Sequence, residues 1–123
     1  MTSETDTIDF MPVEISKITE CDGYISVFMP NQPCYTQRIK DDVPEYSCEI
    51  RIYGGTIEAM NVSLPYTGEL DGVKYNDGWR GCFLPFDFMA EGPVVLSFCD
   101  KDGDKPQIVI KGKSLSLKVL DKV

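Results

Sequence analysis

The sequence predicts an all-β protein, built as a single antiparallel β-sandwich or a partly open barrel of about seven to nine short strands. Three observations lead to this fold class. Turn-forming residues recur about every eight to twelve positions, which is the spacing typical of sandwiches and barrels. The runs between them are rich in β-branched and aromatic side chains. No long stretch has a convincing helical period.

The first strands are expected on either side of a tight turn. β-Branched residues from Val13 to Glu20 favour a strand, and Cys21-Asp22-Gly23 supplies a turn into a second strand, Tyr24 to Met29. In that second strand both alternating faces carry apolar side chains, so we expect both faces to be covered. Pro30 and Pro33 are expected to end it.

A hairpin is predicted from Tyr46 to about Val62. Gly54-Gly55 can adopt the positive φ angles that a two-residue turn requires. That turn fixes a register that places aliphatic residues on one face and an opposite-charge pair on the other. The predicted pairs are Ile52 with Ile57, Arg51 with Glu58, and Ile50 with Ala59.

A second hairpin is predicted at the end of the sequence. Its turn is expected at Gly112, between two alternating segments that contain Ile108, Ile110, Leu115, Leu117 and Val119. The run from Val94 to Phe98 suits a strand covered on both faces. One short helical turn is expected near residues 85–91, where Phe86 and Met89 share one side.

Length and composition indicate one domain. A chain of 123 residues is of ordinary domain size, and we expect a flexible acidic segment at 1–10 followed by a single β domain at 11–123. The five cysteines are odd in number and irregularly spaced, which favours reduced and mostly buried thiols. The opening residues lack the basic and apolar parts of a secretory signal, so a cytoplasmic location is expected.

The charge is acidic and unevenly distributed. The net charge is −8, divided into −12 for residues 1–104 and +4 for residues 105–123. This balance argues against nucleic acid and anionic membranes as partners and favours a basic protein. Lys111, Lys113 and Lys118 are interpreted as solubilising a terminal hairpin and protecting an edge strand.

Catalytic and metal chemistry find little support. The sequence has no histidine, which excludes the histidine-based triads and metal sites. Two carboxylate pairs, Asp71 with Asp77 and Asp87 with Glu91, could in principle serve as an acid and a base. A chain with twenty acidic residues produces such pairs by chance, so they do not indicate an active site. The segment Asp100 to Asp104 departs from the calcium loop of an EF-hand, and no phosphate-binding motif occurs. We therefore expect no catalytic residue, no metal, no cofactor and no enzymatic activity.

The strongest predicted binding region is the glycine-rich segment Pro65 to Gly81. Tyrosine, tryptophan and arginine are frequent at binding hot spots, and loops on a β scaffold commonly carry binding residues. The alternative is that Trp79 or Tyr75 caps the core. The predicted binding residues are Tyr66, Asp71, Tyr75, Asp77, Trp79 and Arg80.

Three functions remain open at this point. The first is a small acidic inhibitor, of the immunity-protein or phage-encoded-blocker type, that occludes a basic protein target. The second is a ligand- or carbohydrate-binding module with an aromatic platform. The third is a structural subunit of a larger assembly that uses an open sheet edge. The oligomeric state and the identity of the partner do not follow from the sequence.

Overall fold

The computed structural model describes residues 11–34, 39–75, 78–80, 87–100 and 105–123. All the regular secondary structure in this part of the chain is β-strand, which confirms the all-β class. The strands are β1 (Met11–Ile15), β2 (Lys17–Cys21), β3 (Tyr24–Pro33), β4 (Glu45–Tyr53), β5 (Thr56–Met60), β6 (Tyr66–Tyr75), β7 (Gly78–Arg80), β8 (Phe88–Cys99) and β9 (Pro106–Lys122). Among these described residues no helix is long and apolar enough to cross a membrane.

The strands form an antiparallel sheet that curls into a half-barrel, in agreement with the partly open barrel expected. Its order is β1-β6-β8-β9-β4-β3-β2, with β5 beside β9 and β7 beside β6. Only Ser16 separates β1 from β2, yet β1 pairs with β6 and β2 pairs with β3. One nearly continuous stretch of chain therefore supplies both end strands of the sheet, which requires the sheet to curl.

Both predicted hairpins are wrong, because β4 and then β5 pair along the same side of β9, and neither stretch of chain turns back on itself. Tyr53 pairs with Ser114 and Thr56 pairs with Lys111, so the chain continues along β9 through Gly54-Gly55 in an unchanged register. Likewise β9 passes through Gly112 without turning back. The expected partners of Ile52, Arg51 and Ile50 are replaced by residues of β3 and β9.

The glycines mark a line where the long strands bend. A Cβ on Gly112 would collide with the side chain of Ile52 and lie 2.9 Å from the carbonyl oxygen of Tyr53. Gly92, which has a φ of 91°, lies at the same level, where the pairing of β8 with β9 shifts between Glu91 and Val94, the partner of Gly112. The two halves of each long strand thus meet at a bend, and both contribute to one core.

That core fills the inside of the curled sheet. It combines Ile25, Val27, Met29, Cys48, Ile50, Ile52, Leu115 and Leu117 from one half with Val13, Ile15, Leu96, Phe98, Ile108 and Ile110 from the other. These residues alternate with outward-facing ones along their strands, as the pleat requires. Three of the four described cysteines are buried and all four are free thiols, which agrees with the expected thiol state.

Several local expectations also change. Phe88 to Glu91 belong to strand β8, so they are not helical, while residues 85 and 86 lie outside the described part. β3 continues past Pro30 to Pro33 across an irregularity in its pairing with β4. The Cys21-Asp22-Gly23 turn is confirmed, since Cys21 pairs with Tyr24.

The interpretation of the β9 lysines as edge residues is wrong. β9 lies between β8 on one side and β4 with β5 on the other, so it is an inner strand of the sheet. Lys111, Lys113 and Lys118 are exposed on this inner strand. They therefore contribute charge to a sheet face and do not protect an edge.

Candidate functional site

The predicted binding segment is largely strand. Tyr66, Asp71 and Tyr75 lie in β6, and Trp79 and Arg80 lie in β7. Asp77 lies outside the described residues. The register places Trp79 opposite Lys74 and Arg80 opposite Val73, so Trp79 and Arg80 lie beside the last three residues of β6, which include Tyr75. Their role in binding stays a prediction.

Tyr66 has a clear structural contact. Its hydroxyl donates a hydrogen bond of 3.0 Å to the carbonyl oxygen of Cys99, and its half-buried ring packs against the core. Burial raises the pKa of Tyr66, with the nearby Asp100 as a second cause. The ring also lies where a side chain on Gly68 would be, which explains the glycine.

A cluster of interacting side chains lies elsewhere, on the outer face of β3 and β4. We call Tyr24, Ser26, Glu49, Arg51 and Tyr53 the outer cluster. The sheet register brings them together, because Tyr24 pairs with Tyr53 and Ser26 pairs with Arg51. All of them alternate with buried core residues, so the same pleat that builds the core points these five side chains outward.

Arg51 is held in place within the outer cluster. Its Nε atom lies 3.1 Å from Oε1 of Glu49, and the side chain remains 40% exposed against 19% for Glu49. The other carboxylate oxygen of Glu49 accepts a hydrogen bond of 2.6 Å from the Ser26 hydroxyl. The hydrogen bond and the charge of Glu49 raise the pKa of Arg51, so the guanidinium stays charged.

The Tyr24 ring lies against this guanidinium, and the Tyr53 ring lies beside that of Tyr24. The Arg51 Cζ atom lies 4.6 Å from the centre of the Tyr24 ring, within the range of a cation–π interaction. The Tyr24 and Tyr53 rings are 5.8 Å apart and tilted by 51°, a favourable aromatic arrangement. A side-chain hydrogen bond with Cys21 raises the pKa of Tyr24, although the Arg51 charge acts in the opposite direction.

Two shallow grooves adjoin the outer cluster. The larger groove has a volume of about 640 Å³ and is lined by three members of the cluster, Tyr24, Ser26 and Glu49. Its other lining residues are Ser16, Lys17, Thr19, Cys21, Phe28 and Leu120. The smaller, of about 290 Å³, lies on the side of β9 and shares Glu49 and Leu120 with the larger. The outer cluster thus lines both open grooves, and Glu49 belongs to both.

Leu120 is an exposed apolar side chain at the junction of these grooves. It is 47% exposed and lies where the pairing of β4 with β9 becomes irregular, between Tyr46 and Cys48. There the Asp121 amide donates a hydrogen bond of 3.1 Å to the Ser47 hydroxyl, which replaces a regular ladder bond. Met89, which is 66% exposed, lies next to Ser116 on the same face.

Asp87 supports the edge of this face and not a metal site. Its Oδ1 atom accepts a hydrogen bond of 3.0 Å from the Val119 amide, and its Oδ2 atom lies 3.9 Å from the Lys118 ammonium. In the part of the chain that the structure describes, no group of three or more cysteine, aspartate or glutamate side chains is placed to hold a metal ion. The acidic segment after Asp100 lies outside that part.

Sequence reasoning missed the outer cluster for a physical reason. Tyr24, Ser26 and Phe28 were expected on a covered face, but among the described residues they are only half-buried. Arg51 was expected to pair with Glu58, and instead its partner is Glu49 on the same strand. The alternation along β4 contained the signal, because two-residue spacing places Glu49, Arg51 and Tyr53 on one face.

Comparisons of this chain with protein-family models, with curated proteins and with solved structures give no match. The functional conclusion therefore depends on the geometry of the outer face.

Proposed function

We propose that this protein is a non-enzymatic binding domain that occludes a basic protein partner with the outer face of β3, β4 and β9. The observation that carries the proposal is the position of Arg51, which is ion-paired with Glu49 and stacked against Tyr24 on an exposed face. The proposal includes a role as a small acidic inhibitor, of the immunity-protein or phage-blocker type.

The composition of the outer cluster supports protein recognition. Tyrosine and arginine are the residue types most enriched at interface hot spots, together with tryptophan. A side chain that is already ordered loses less conformational entropy on binding, and Arg51 is ordered by both Glu49 and Tyr24. The exposed Leu120 and Met89 add apolar area on the same face.

The net charge supports a basic partner. A charge of −8 on a small domain accelerates its encounter with a positively charged surface, and salt weakens this effect. The positive charge of Arg51 is compensated by Glu49, so it does not oppose that attraction. A reducing, cytoplasmic setting belongs to the proposal and is supported by the four free thiols of the described residues.

A ligand- or carbohydrate-binding module is the second candidate. It is favoured by the groove of about 640 Å³, in which the Tyr24 and Phe28 rings lie beside hydroxyl and carboxylate groups. This volume is within the usual range for small-molecule sites. The groove is open, however, and an open groove suits contact with a macromolecular surface better than the enclosure of a small ligand.

The test uses the partner captured from the native host by cross-linking and identified by mass spectrometry. We expect Arg51→Ala and Tyr53→Ala each to weaken the purified complex at least about tenfold. Arg51→Lys should bind the partner little better than Arg51→Ala, because an ammonium group lacks the planar surface with which a guanidinium stacks on an aromatic ring. Lys111→Ala is the matched control, because it also removes an exposed positive charge but lies in the first half of β9, beyond the outer cluster. This variant should keep full affinity.

Two results would overturn this proposal. One is unchanged affinity in both cluster variants. The other is binding of a glycan, lost in Tyr24→Ala, with no protein partner captured, which would favour the second candidate.

A further inference from the structure

The free edge of β2 offers a second contact surface. β2 ends the strand order of the sheet and pairs only with β3 among the described residues. Four of its five residues are exposed, and Ile18 is half-buried. An edge of this kind presents unpaired backbone donors and acceptors that can pair with another extended chain.

We propose that β2 binds an extended, basic segment of the partner protein as an additional strand of the sheet. This inference rests on the proposed function, because it describes how the same partner would continue beyond the outer cluster. The bound segment has β conformation and carries lysine or arginine side chains.

The hairpin geometry determines which backbone groups are free. Cys21 and Tyr24 flank the two-residue turn at Asp22-Gly23, so these two residues exchange hydrogen bonds with each other. The pattern repeats at every second residue, which directs the N–H and C=O groups of Thr19 and Lys17 toward β3. Those of Ile18 and Glu20 consequently point away from the sheet.

The side chains of β2 connect this edge with the outer cluster. Lys17, Thr19 and Cys21 line the larger groove together with the outward residues of β3. Every second side chain of an added strand would lie beside this row, on the face that carries Tyr24 and Arg51. The edge and the outer cluster thus form one continuous surface.

Charge favours a basic segment over a second copy of this chain. The acidic Glu20 and Asp22 are exposed at the turn end of β2, whereas the exposed Lys17 lies at the other end of the strand. Glu20 pairs with Ile25, so its side chain lies on the opposite face of β2 from the groove, and a lysine at the alternate positions of an added strand would pair with it there. Pairing β2 with itself would bring together two chains that each carry a charge of −8.

A proline substitution tests this backbone contact selectively. Glu20→Pro removes the outward N–H without removing a hydrogen bond to β3, and proline is tolerated on edge strands. Glu20→Gln removes the charge and keeps the N–H, so it is the matched control. The probe is a capped peptide of alternating lysine and valine, with a peptide of alternating glutamate and valine as the charge control.

We expect the lysine peptide to slow hydrogen exchange at the Ile18 and Glu20 amides of the wild-type protein. Glu20→Pro should lower the affinity for this peptide at least about tenfold, and Glu20→Gln no more than about threefold. The glutamate peptide should bind at least about tenfold more weakly than the lysine peptide.

Three results would overturn the inference. They are no protection at these amides, equal peptide binding by Glu20→Pro and wild type, and protection of the same amides in a dimer without peptide. Arg51→Ala separates the two proposals, because it should weaken the native partner and keep peptide binding at β2. If only the proposed function fails, Arg51→Ala leaves the native partner unaffected while the peptide results stand.

Discussion

Gly55 and Gly112 lie side by side where the β4–β5 stretch passes the middle of β9, and a Cβ on Gly55 would lie only 3.2 Å from the Gly112 Cα atom. A Cβ on Gly55 would also collide with the carbonyl oxygen of Lys111. This contact lets two long strands bend together without losing their register. It also determines how the outer cluster is presented, because β4 ends at this bend.

Gly112→Ala is therefore expected to destabilise the protein by about 3 kcal/mol, since the added methyl group must displace Ile52 and the Tyr53 backbone. Gly23→Ala is the informative comparison. A Cβ there meets no atom within 4 Å, but φ is 92°, so a cost of about 1 kcal/mol is expected from backbone strain alone. Urea unfolding of both variants measures the difference, and equal stability losses would contradict the close contact at Gly112.

The two glycine sites also explain why hairpins were predicted. In a two-residue hairpin Ile52 and Ile57 share a face, and they also face the core on both sides of the observed bend. The same five-residue spacing separates Ile110 from Leu115. Hydrophobic pattern and turn residues are thus identical for the two arrangements. The two arrangements differ only in which distant strands pair with each other, and a local sequence pattern does not show that pairing.

The Glu49 and Arg51 pair should make a modest contribution to stability. Both residues keep access to solvent, so a double-mutant cycle with Glu49→Gln and Arg51→Ala should give a small favourable coupling energy. The coupling should decrease at high salt. A coupling energy of zero would show that the guanidinium is not ordered by Glu49.

Tyr66→Phe is expected to lower the free energy of unfolding by about 1 kcal/mol, because it leaves the Cys99 carbonyl without its hydrogen bond. The ring packing is kept. Thermal or urea unfolding measures this loss. If Tyr66 also belongs to the partner surface, as predicted from the sequence, the same variant should weaken the complex. Unchanged stability would show that the hydroxyl does not stabilise the fold.

Cys48 should give a defined dependence of stability on pH. Burial raises the pKa of its thiol to about 11, and the nearby Asp87 is the second cause. A thiol in the unfolded chain ionises at a lower pH, near about 8.5. The folded protein therefore holds this proton more tightly, and stability that is present below about pH 8.5 is lost as the pH rises toward 11.

Urea unfolding between about pH 8 and pH 10.5 should accordingly show a steeper loss of stability in the wild type than in Cys48→Ala. The comparison uses the two slopes, since the substitution also lowers stability at every pH by removing buried volume. Parallel slopes would contradict the raised pKa. Alkylation at pH 8, located by mass spectrometry, should modify the exposed Cys21 and spare Cys48.

The candidate site was less predictable than the fold class. Alternation identified Ile50 and Ile52 as core residues and therefore also gave the outward direction of Arg51. The contact of Arg51 with Tyr24 depends on the pairing of β3 with β4, whose strands are separated by a long connection. Composition drew attention to the glycine-rich segment with Trp79 and Arg80, because aromatic density is visible in a sequence and cross-strand proximity is not.

The most direct test of the account is a hydrogen–deuterium exchange map of the protein in complex with the partner from its native host. The proposed function predicts protection concentrated on β3, β4 and the second half of β9, around Tyr24, Arg51 and Leu120. Protection confined to the β6–β7 pair, around Tyr75 and Arg80, would contradict it and would support the binding segment predicted from the sequence.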